Sequence, residues 1–214
     1  EEKQALFAER GMDYLLRCPF TPQVMSMEPE KFVEWIVREL NVKSIVVGED
    51  CGFGHKRRGD CRLLAQLAPE YGYELEVIKK IQFDGRDISS TYIREEILKG
   101  NMETAAMLLG HPYSIDGTVE TGNQIGRTIG IPTANIEAEP DKLLPPFGVY
   151  VSEVKIEGKT YYGITNIGVK PTVQEKFTGV ETNLFDCSED LYGKQAEVSL
   201  LKFLRREEIL SRCT

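Results

Sequence analysis

The segment GRTIGIPTANI, residues 126–136, joins a glycine-rich turn to two side chains that carry oxygen atoms. Gly126 and Gly130 let backbone N–H groups approach an anion closely, because glycine has no Cβ. Thr133 and Asn135 follow, and a hydroxyl and an amide carbonyl are hard oxygen ligands of the kind that Mg²⁺ accepts. If this stretch is extended, both side chains point to one face and can reach one ion. The segment fits a metal-bound phosphate, and the alternative is a plain turn whose Thr and Asn cap backbone groups.

A second candidate site lies at the start of SSTYIREEILKG, which the sequence predicts to be a helix ending at Gly100. Ser89, Ser90 and Thr91 place hydroxyls and free N–H groups at the N-terminus of that helix, where anions are favoured. Arg94 follows one turn later and can pair with a phosphate. The alternative is an ordinary helix that is capped by serine.

The elements that precede this helix alternate between helix and strand patterns. Period-3.6 spacing and capping residues predict helices in PEKFVEWIVREL and in GDCRLLAQLAPEYG, the second capped by Asp60. Short apolar runs predict strands in SIVVG and YELEVI, and METAAMLLG predicts a further short helix. Alternating strands and helices predict an α/β domain with a parallel sheet over residues 1–110.

The pattern changes after residue 110. YSIDGTVETG, GVYVSEVKIEGKTYYGITNIGV and AEVSLLKFL alternate every two residues and are rich in β-branched and aromatic side chains. KIEGKTYY predicts a hairpin around Glu157, Gly158 and Lys159. Residues 111–214 are therefore predicted to form an all-β domain, a small barrel or sandwich, with the boundary at His111 and Pro112.

Composition restricts the class of protein. The chain of 214 residues has a net charge of −8, which argues against a nucleic-acid partner, since such a protein presents a basic face. No apolar run approaches the roughly 20 residues that a membrane-spanning helix needs. The five cysteines are scattered without a CxxC spacing, which favours reduced thiols in a cytoplasmic protein over a zinc site.

Five segments in the second half, taken in order, resemble the riboflavin kinase (flavokinase) family: GRTIGIPTANI, LPPFGVYV, GITNIGVKPT, ETNLFD and DLYG. That family uses a small β-barrel to move the γ-phosphate of ATP to the 5′-hydroxyl of riboflavin. The resemblance implies that Thr133 and Asn135 bind Mg²⁺ together with ATP. It also implies a phosphate-binding loop that includes Gly126, Arg127, Gly130 and Pro132. An exposed turn arginine is the alternative for Arg127.

The same resemblance assigns roles to residues beyond this loop. Glu181, in ETNLFD, matches the family's catalytic carboxylate, which takes a proton from the attacking alcohol. An exposed strand glutamate is the alternative. Arg205 matches an arginine near the flavin, and its alternative is a solvated charge at the start of a helix. Phe147 and Tyr150 are expected in the barrel core rather than against a flavin.

Residues 1–110 resemble the FMN adenylyltransferase half of the bacterial bifunctional riboflavin kinase/FAD synthetase family, through GMDYLLRCPFT, VVGEDCGFGHKRRGD and ISSTYIREEILKG. The resemblance implies a nucleotidyltransferase-like, Rossmann-like domain that transfers AMP from ATP to FMN. It places Ser89, Ser90, Thr91 and Arg94 at phosphate groups. Cys51 stands where the family carries an aromatic residue.

Two family features are not found in these residues: a His-x-Gly-His segment in the first half and a long C-terminal helix. A chain that lacks part of the protein and a naturally degenerate protein both explain this, and we favour the first. The leading hypothesis is a two-domain enzyme of flavin synthesis that acts on riboflavin, FMN and ATP. The alternatives are a non-catalytic flavin- or nucleotide-binding module and an oligonucleotide-binding barrel, which the acidic charge disfavours.

Overall fold

The computed structural model describes residues 2–120, 133–171, 176–187 and 189–206. Contacts divide the chain into two compact units, Glu1–Asp87 and Ile88–Thr214. This division falls before the helix that begins at Ser90. The boundary predicted at His111 and Pro112 instead follows a change in residue pattern. The domain limits predicted from the sequence therefore stay a prediction.

The first unit contains a short parallel sheet with helices. Its helices are α1 (Glu2–Glu9), α2 (Pro22–Met25), α3 (Pro29–Leu40) and α4 (Cys61–Tyr71), and its strands are β1 (Ser44–Gly48), β2 (Glu74–Ile78), β3 (Gln82–Phe83) and β4 (Arg86–Asp87). β1 and β2 pair in parallel from Ser44 opposite Glu74 to Gly48 opposite Ile78. β3 and β4 form a separate antiparallel pair. The predicted α/β class with a parallel sheet is confirmed.

Local signals in the sequence set the limits of α4. The Asp60 side chain accepts hydrogen bonds from the N–H groups of Arg62 and Leu63, at 3.0 and 2.9 Å, as predicted for its N-cap. Gly72 ends the helix in the left-handed conformation, which glycine adopts without a Cβ clash. α4 and α3 then pack around a small core of Val33, Val37, Leu64 and Tyr73.

The second unit is built on a closed antiparallel barrel of six strands, in the order β10-β5-β6-β9-β8-β7. The strands are β5 (Tyr113–Glu120), β6 (Thr133–Glu137), β7 (Gly148–Ile156), β8 (Lys159–Pro171), β9 (Lys176–Leu184) and β10 (Gln195–Arg206). Each described strand of the barrel therefore pairs with a neighbour on both sides. The predicted all-β half is confirmed as a barrel.

The β7–β8 hairpin turns at Glu157 and Gly158, as the sequence predicted. Both residues have positive φ angles, 49° and 77°, which a two-residue turn of type I′ requires. The turn fixes the register of the hairpin, with Ile156 opposite Lys159 and Gly148 opposite Ile167.

A chain of buried hydroxyl groups crosses three barrel strands. Ser152 Oγ lies 2.6 Å from Thr165 Oγ1, and Thr165 Oγ1 lies 2.8 Å from Thr182 Oγ1. Ser152 also donates to the carbonyl of Gly163 at 3.3 Å. Because unpaired polar groups are costly in an apolar core, these hydrogen-bonded hydroxyl groups favour the observed register of β7, β8 and β9 over other registers.

Two helices, α5 (Ser90–Lys99) and α6 (Met102–Leu109), pack against the barrel. Ser89 and Gly100 cap α5 as predicted, and Ile97, Met102 and Ala105 join the barrel core. No helix among the described residues is long and apolar enough to cross a membrane.

Glu96 is a buried carboxylate at the junction of α5 and α6. Its two oxygens accept hydrogen bonds from Asn101 Nδ2 and Lys99 Nζ, both at 2.7 Å. These bonds lower the pKa of Glu96 from its ordinary value of 4.5, the bond from Asn101 having the largest effect. The folded state therefore favours the ionised form.

We expect Glu96→Gln to lower the free energy of unfolding at pH 7 by about 1–3 kcal/mol, because charged hydrogen bonds are lost in a buried site. A lowered folded-state pKa gives a contribution that is complete above pH 4.5 and is lost as the pH falls through the lowered value. The difference in the free energy of unfolding between the parent and Glu96→Gln should therefore become smaller in acid. Urea unfolding as a function of pH measures it. Glu103→Gln, at an exposed position of α6, is the matched control, and an equal effect of both substitutions would contradict the prediction.

Candidate active site

β6 carries both predicted metal ligands on one face. Ala134 and Ile136 are buried in the barrel, at 0% and 2% exposure, and alternate with Thr133 and Asn135. Because successive side chains of a strand point to opposite faces, Thr133 and Asn135 lie on the outer face, half-buried. The extended conformation that the ligand hypothesis required is confirmed for residues 133–137.

The barrel register places Asn135 directly opposite Glu181 on β9. Val180, Thr182 and Leu184 point into the core, so that Glu181 points outward, on the same face as Asn135. Directly opposite residues in an antiparallel pair have Cβ atoms about 4.5–5.5 Å apart. A carboxylate and an amide that are far apart in the sequence therefore become neighbours.

The register extends this row beyond the residues that the sequence singled out. Asn166 on β8 lies opposite Glu181 on its other side, so that the carboxylate stands between two amides. Asn166 is half-buried and alternates with the inward Thr165 and Ile167. Sequence analysis did not identify it. The signal was available, because GITNIGV interrupts an alternating apolar pattern with an amide at an outward position.

Two features fix how β9 presents Glu181. Thr182, the next residue, ends the buried hydroxyl chain through its bond to Thr165. Gly163 lets β8 approach β9 closely, since a Cβ at this position would lie 2.3 Å from the Asn183 carbonyl oxygen. Both features hold the strand that carries the carboxylate.

Arg205 lies in the same cross-strand row but farther around the barrel. It is exposed on β10 and lies opposite Val149, which in turn lies opposite Asn166. Three strand spacings of about 4.8 Å separate β10 from β9, so that Arg205 is about 14 Å from Glu181 around the wall. The alternative of a charge at the start of a helix is wrong, because β10 continues to Arg206. From the sequence, a charged residue after LKFL fitted either the end of a strand or the start of a helix.

The aromatic residues before β7 divide between core and surface. Tyr150 is fully buried, and its hydroxyl donates to the Pro146 carbonyl, as expected for a core residue. Phe147 is 42% exposed, so the expectation that it lies in the core is wrong. Gly148 follows Phe147 at the start of β7, and the strand alternation that buries Tyr150 begins only there.

The second candidate group lies at the start of α5. Ser89 is the N-cap and its Oγ accepts the Tyr92 N–H at 3.2 Å, which is the arrangement of the plain-cap alternative. Ser90, Thr91 and Arg94 are exposed on the first turns of the helix. The role of these four residues at a phosphate stays a prediction. Gly126, Arg127, Gly130 and Pro132, the predicted phosphate loop, lie outside the described residues.

A surface groove of about 260 Å³ lies elsewhere on the barrel, on β5, β7 and β10. Asp116, Lys155 and Glu197 line it and form a row across these strands. β10 is three strands from β9 in either direction around the ring, so the groove and Glu181 lie on different sides.

Comparisons with known proteins match both halves of the chain. The riboflavin kinase (flavokinase) family model matches residues 109–212, and the FAD synthetase model matches residues 1–92. The bifunctional riboflavin kinase/FMN adenylyltransferase of Escherichia coli (strain K12) is 38% identical over 97% of this chain. The protein of the same description from Bacillus subtilis (strain 168) is 34% identical over 97% of this chain.

The chain belongs to the bifunctional riboflavin kinase/FAD synthetase family. The resemblance stated from the sequence is thereby confirmed. The chain spans 66% of the length of these curated relatives. A solved structure described as a macrolide-efflux protein from Streptococcus pneumoniae is 31% identical and matches with a TM-score of 0.86. That match covers 99% of this chain and 68% of the other.

Two further residues near Glu181 in the sequence, Asn183 and Cys187, lie in different places. Asn183 lies on β9 opposite Thr133, beside the row of polar side chains. Cys187 is 8% exposed and packs in the barrel core. Asn183 therefore belongs to the surface near Glu181, whereas Cys187 belongs to the core.

Proposed function

We propose that the barrel of this chain transfers the γ-phosphate of ATP to the 5′-hydroxyl of riboflavin and forms FMN. We propose further that the α/β domain predicted over residues 1–110 adenylylates FMN to FAD in the intact protein. Both family models and the bifunctional relatives support this assignment. The observation that carries the kinase assignment is the register of β6 and β9, which sets Asn135 opposite Glu181 on the outer wall.

Glu181 acts as the base in this proposal. The riboflavin hydroxyl attacks the γ-phosphorus, and Glu181 takes the hydroxyl proton as the new O–P bond forms. The bond from phosphorus to the β,γ-bridging oxygen breaks, and ADP leaves with its electron pair. A carboxylate is needed because an alcohol ionises far above neutral pH. Asn135 and Asn166, on either side, can orient the carboxylate or the hydroxyl through their amides.

Thr133 and Asn135 fit a magnesium site by their chemistry and placement. Both supply neutral oxygen donors, and both lie on the same outward face of β6 as half-buried side chains. Mg²⁺ accepts few protein ligands and retains phosphate and water oxygens around it. When bound with ATP, the ion would neutralise charge on the phosphate oxygens.

The same proposal names the partners and the compartment. Riboflavin, FMN and ATP are the substrates, with ADP as a product, and no nucleic acid or membrane takes part. The cytoplasm is the proposed location, because ATP is abundant there and the cysteines of the described residues are free thiols.

We expect Glu181→Gln to lower kcat for FMN formation by about 10²–10⁴-fold, the usual contribution of a general base. Riboflavin and ATP should still bind with nearly unchanged affinity, because the amide is almost isosteric. Steady-state kinetics and ligand titration measure the two effects. Glu137→Gln, an exposed carboxylate two residues beyond Asn135 on the same face, is the matched control. If Glu181→Gln retains turnover within a few-fold of the parent, Glu181 is not the base.

The metal proposal predicts a change in magnesium requirement. Asn135→Ala and Thr133→Ala should each raise the Mg²⁺ concentration for half-maximal FMN formation by about tenfold or more. Excess Mg²⁺ should restore part of the rate, whereas it should not restore Glu181→Gln. An unchanged magnesium titration in both alanine variants would remove these residues from the metal site.

The two proposed activities can be separated by mutation. In the intact protein, Arg94→Ala should lower FAD formation from FMN and ATP by roughly 10-fold or more, the loss expected when a charged hydrogen bond to phosphate is removed. FMN formation from riboflavin should be unaffected. Parallel assays of the two products by chromatography test this. A protein that binds flavin and ATP but forms neither product would instead be the non-catalytic binding module.

A further inference from the structure

The first unit holds two cysteine side chains in direct contact. Cys51 Sγ and Cys61 Sγ lie 3.3 Å apart, and both residues are partly buried. Cys51 lies in the loop that follows β1, and Cys61 is the first residue of α4. Among the described cysteines they are the only pair in contact; Cys18 and Cys187 are single free thiols.

The distance between the sulfur atoms allows a covalent bond after a small movement. A disulfide requires about 2.05 Å, so that the sulfurs must approach by roughly 1.2 Å. Rotation about the side-chain torsions can supply this, because Cys51 is on a loop rather than inside a helix or strand. Cys61 is also oriented by the carbonyl oxygens of Gly48 and Glu49, at 3.4 and 3.6 Å.

We propose that Cys51 and Cys61 form a reversible disulfide when the protein meets a peroxide, and that this pair is a redox-modification site. The bond would tie the loop after β1 to the N-terminus of α4. Neither family membership nor the kinase and adenylyltransferase activities assign such a site, and Cys51 stands where the family carries an aromatic residue. The alternative is that the two thiols only fill space beside the apolar core of the unit.

The two sulfurs have different parts in the reaction. Burial, together with the hydrogen bond between Cys51 and Cys61, raises the pKa of the Cys51 thiol to about 11, so that Cys51 stays protonated. Cys61 therefore reacts with the peroxide first, and Cys51 is the resolving cysteine, which attacks the oxidised Cys61.

The chemistry with hydrogen peroxide balances in two steps. Cys61 loses its thiol proton and attacks one peroxide oxygen, the O–O bond breaks, and the departing hydroxide takes up that proton to become water. The Cys51 sulfur then attacks the Cys61 sulfenic acid, loses its proton, and displaces a second water as the S–S bond forms. Two thiols lose two electrons, and one peroxide is reduced to two waters. Cytoplasmic thiol reductants reverse the bond, so that it is transient in the cell.

Peptide mapping of the intact protein tests the proposal. Lys56, Arg57 and Arg58 lie between the two cysteines, so that trypsin places them in separate peptides, residues 44–56 and 59–62. After brief exposure to hydrogen peroxide and alkylation of remaining thiols, mass spectrometry should find these peptides joined, with a mass two hydrogens below their sum. Dithiothreitol should separate them.

Cys18 provides the comparison within the same molecule. It is exposed, whereas Cys51 and Cys61 are partly buried, so exposure alone would oxidise Cys18 first. We expect the joined peptides to accumulate before Cys18 is modified, and Cys18→Ser should leave their formation unchanged. Oxidation of Cys18 while Cys51 and Cys61 remain fully alkylated would overturn the proposal.

Single substitutions test which cysteine reacts first. In Cys51→Ser, Cys61 should stop at the sulfenic acid and be captured by dimedone; in Cys61→Ser, Cys51 should remain a thiol. The reverse pattern would refute the assigned order of reaction.

Unfolding the protein tests whether the fold brings the two thiols together. In strong urea, peroxide should no longer oxidise Cys51 and Cys61 in preference to Cys18. Equal preference in the folded and unfolded chains would show that the ten-residue spacing, and not the fold, brings the thiols together.

Discussion

The alternation of β9 is the constraint on which the candidate active site depends. Thr182 is fully buried and bonded to Thr165, with Val180 and Leu184 buried on the same side. A slip of one residue would place the Glu181 carboxylate in the core and expose these side chains, at a large cost in solvation. The buried hydroxyl chain thus fixes the face on which Glu181 stands, and barrel closure fixes its neighbours on β6 and β8.

The helices α5 and α6 show how residue pattern and packing can divide a chain differently. Their sequence continues the helix-strand alternation of the first half, yet Ile97, Met102 and Ala105 belong to the barrel core. The buried Glu96 joins the two helices at their junction through Asn101 and Lys99. The proposed phosphate residues of α5 therefore sit on a helix that is anchored to the barrel unit.

Much of the local structure could be predicted from spacing and caps. The helices at Pro29–Leu40 and Cys61–Tyr71, the Asp60 cap and the hairpin at Glu157 and Gly158 all follow from nearby residues. The predictions that were wrong or missing concern contacts between residues that are far apart in the sequence. Phe147 is apolar yet 42% exposed, and Arg205 continues a strand whose partner, β7, lies far back in the sequence. Asn166 was missed because its importance depends on the strand beside it.

The sequence by itself determined the types of element, the change from an α/β to an all-β pattern, the family, and the residues with suitable chemistry. It did so because propensity, capping and two-residue or 3.6-residue periods act over short distances. Only the tertiary structure decided which of those residues meet. Asn135 faces Glu181 through strand register, and Cys51 touches Cys61 through the packing of a loop on a helix. Register and packing are properties of the closed barrel and the folded core, and no short segment contains them.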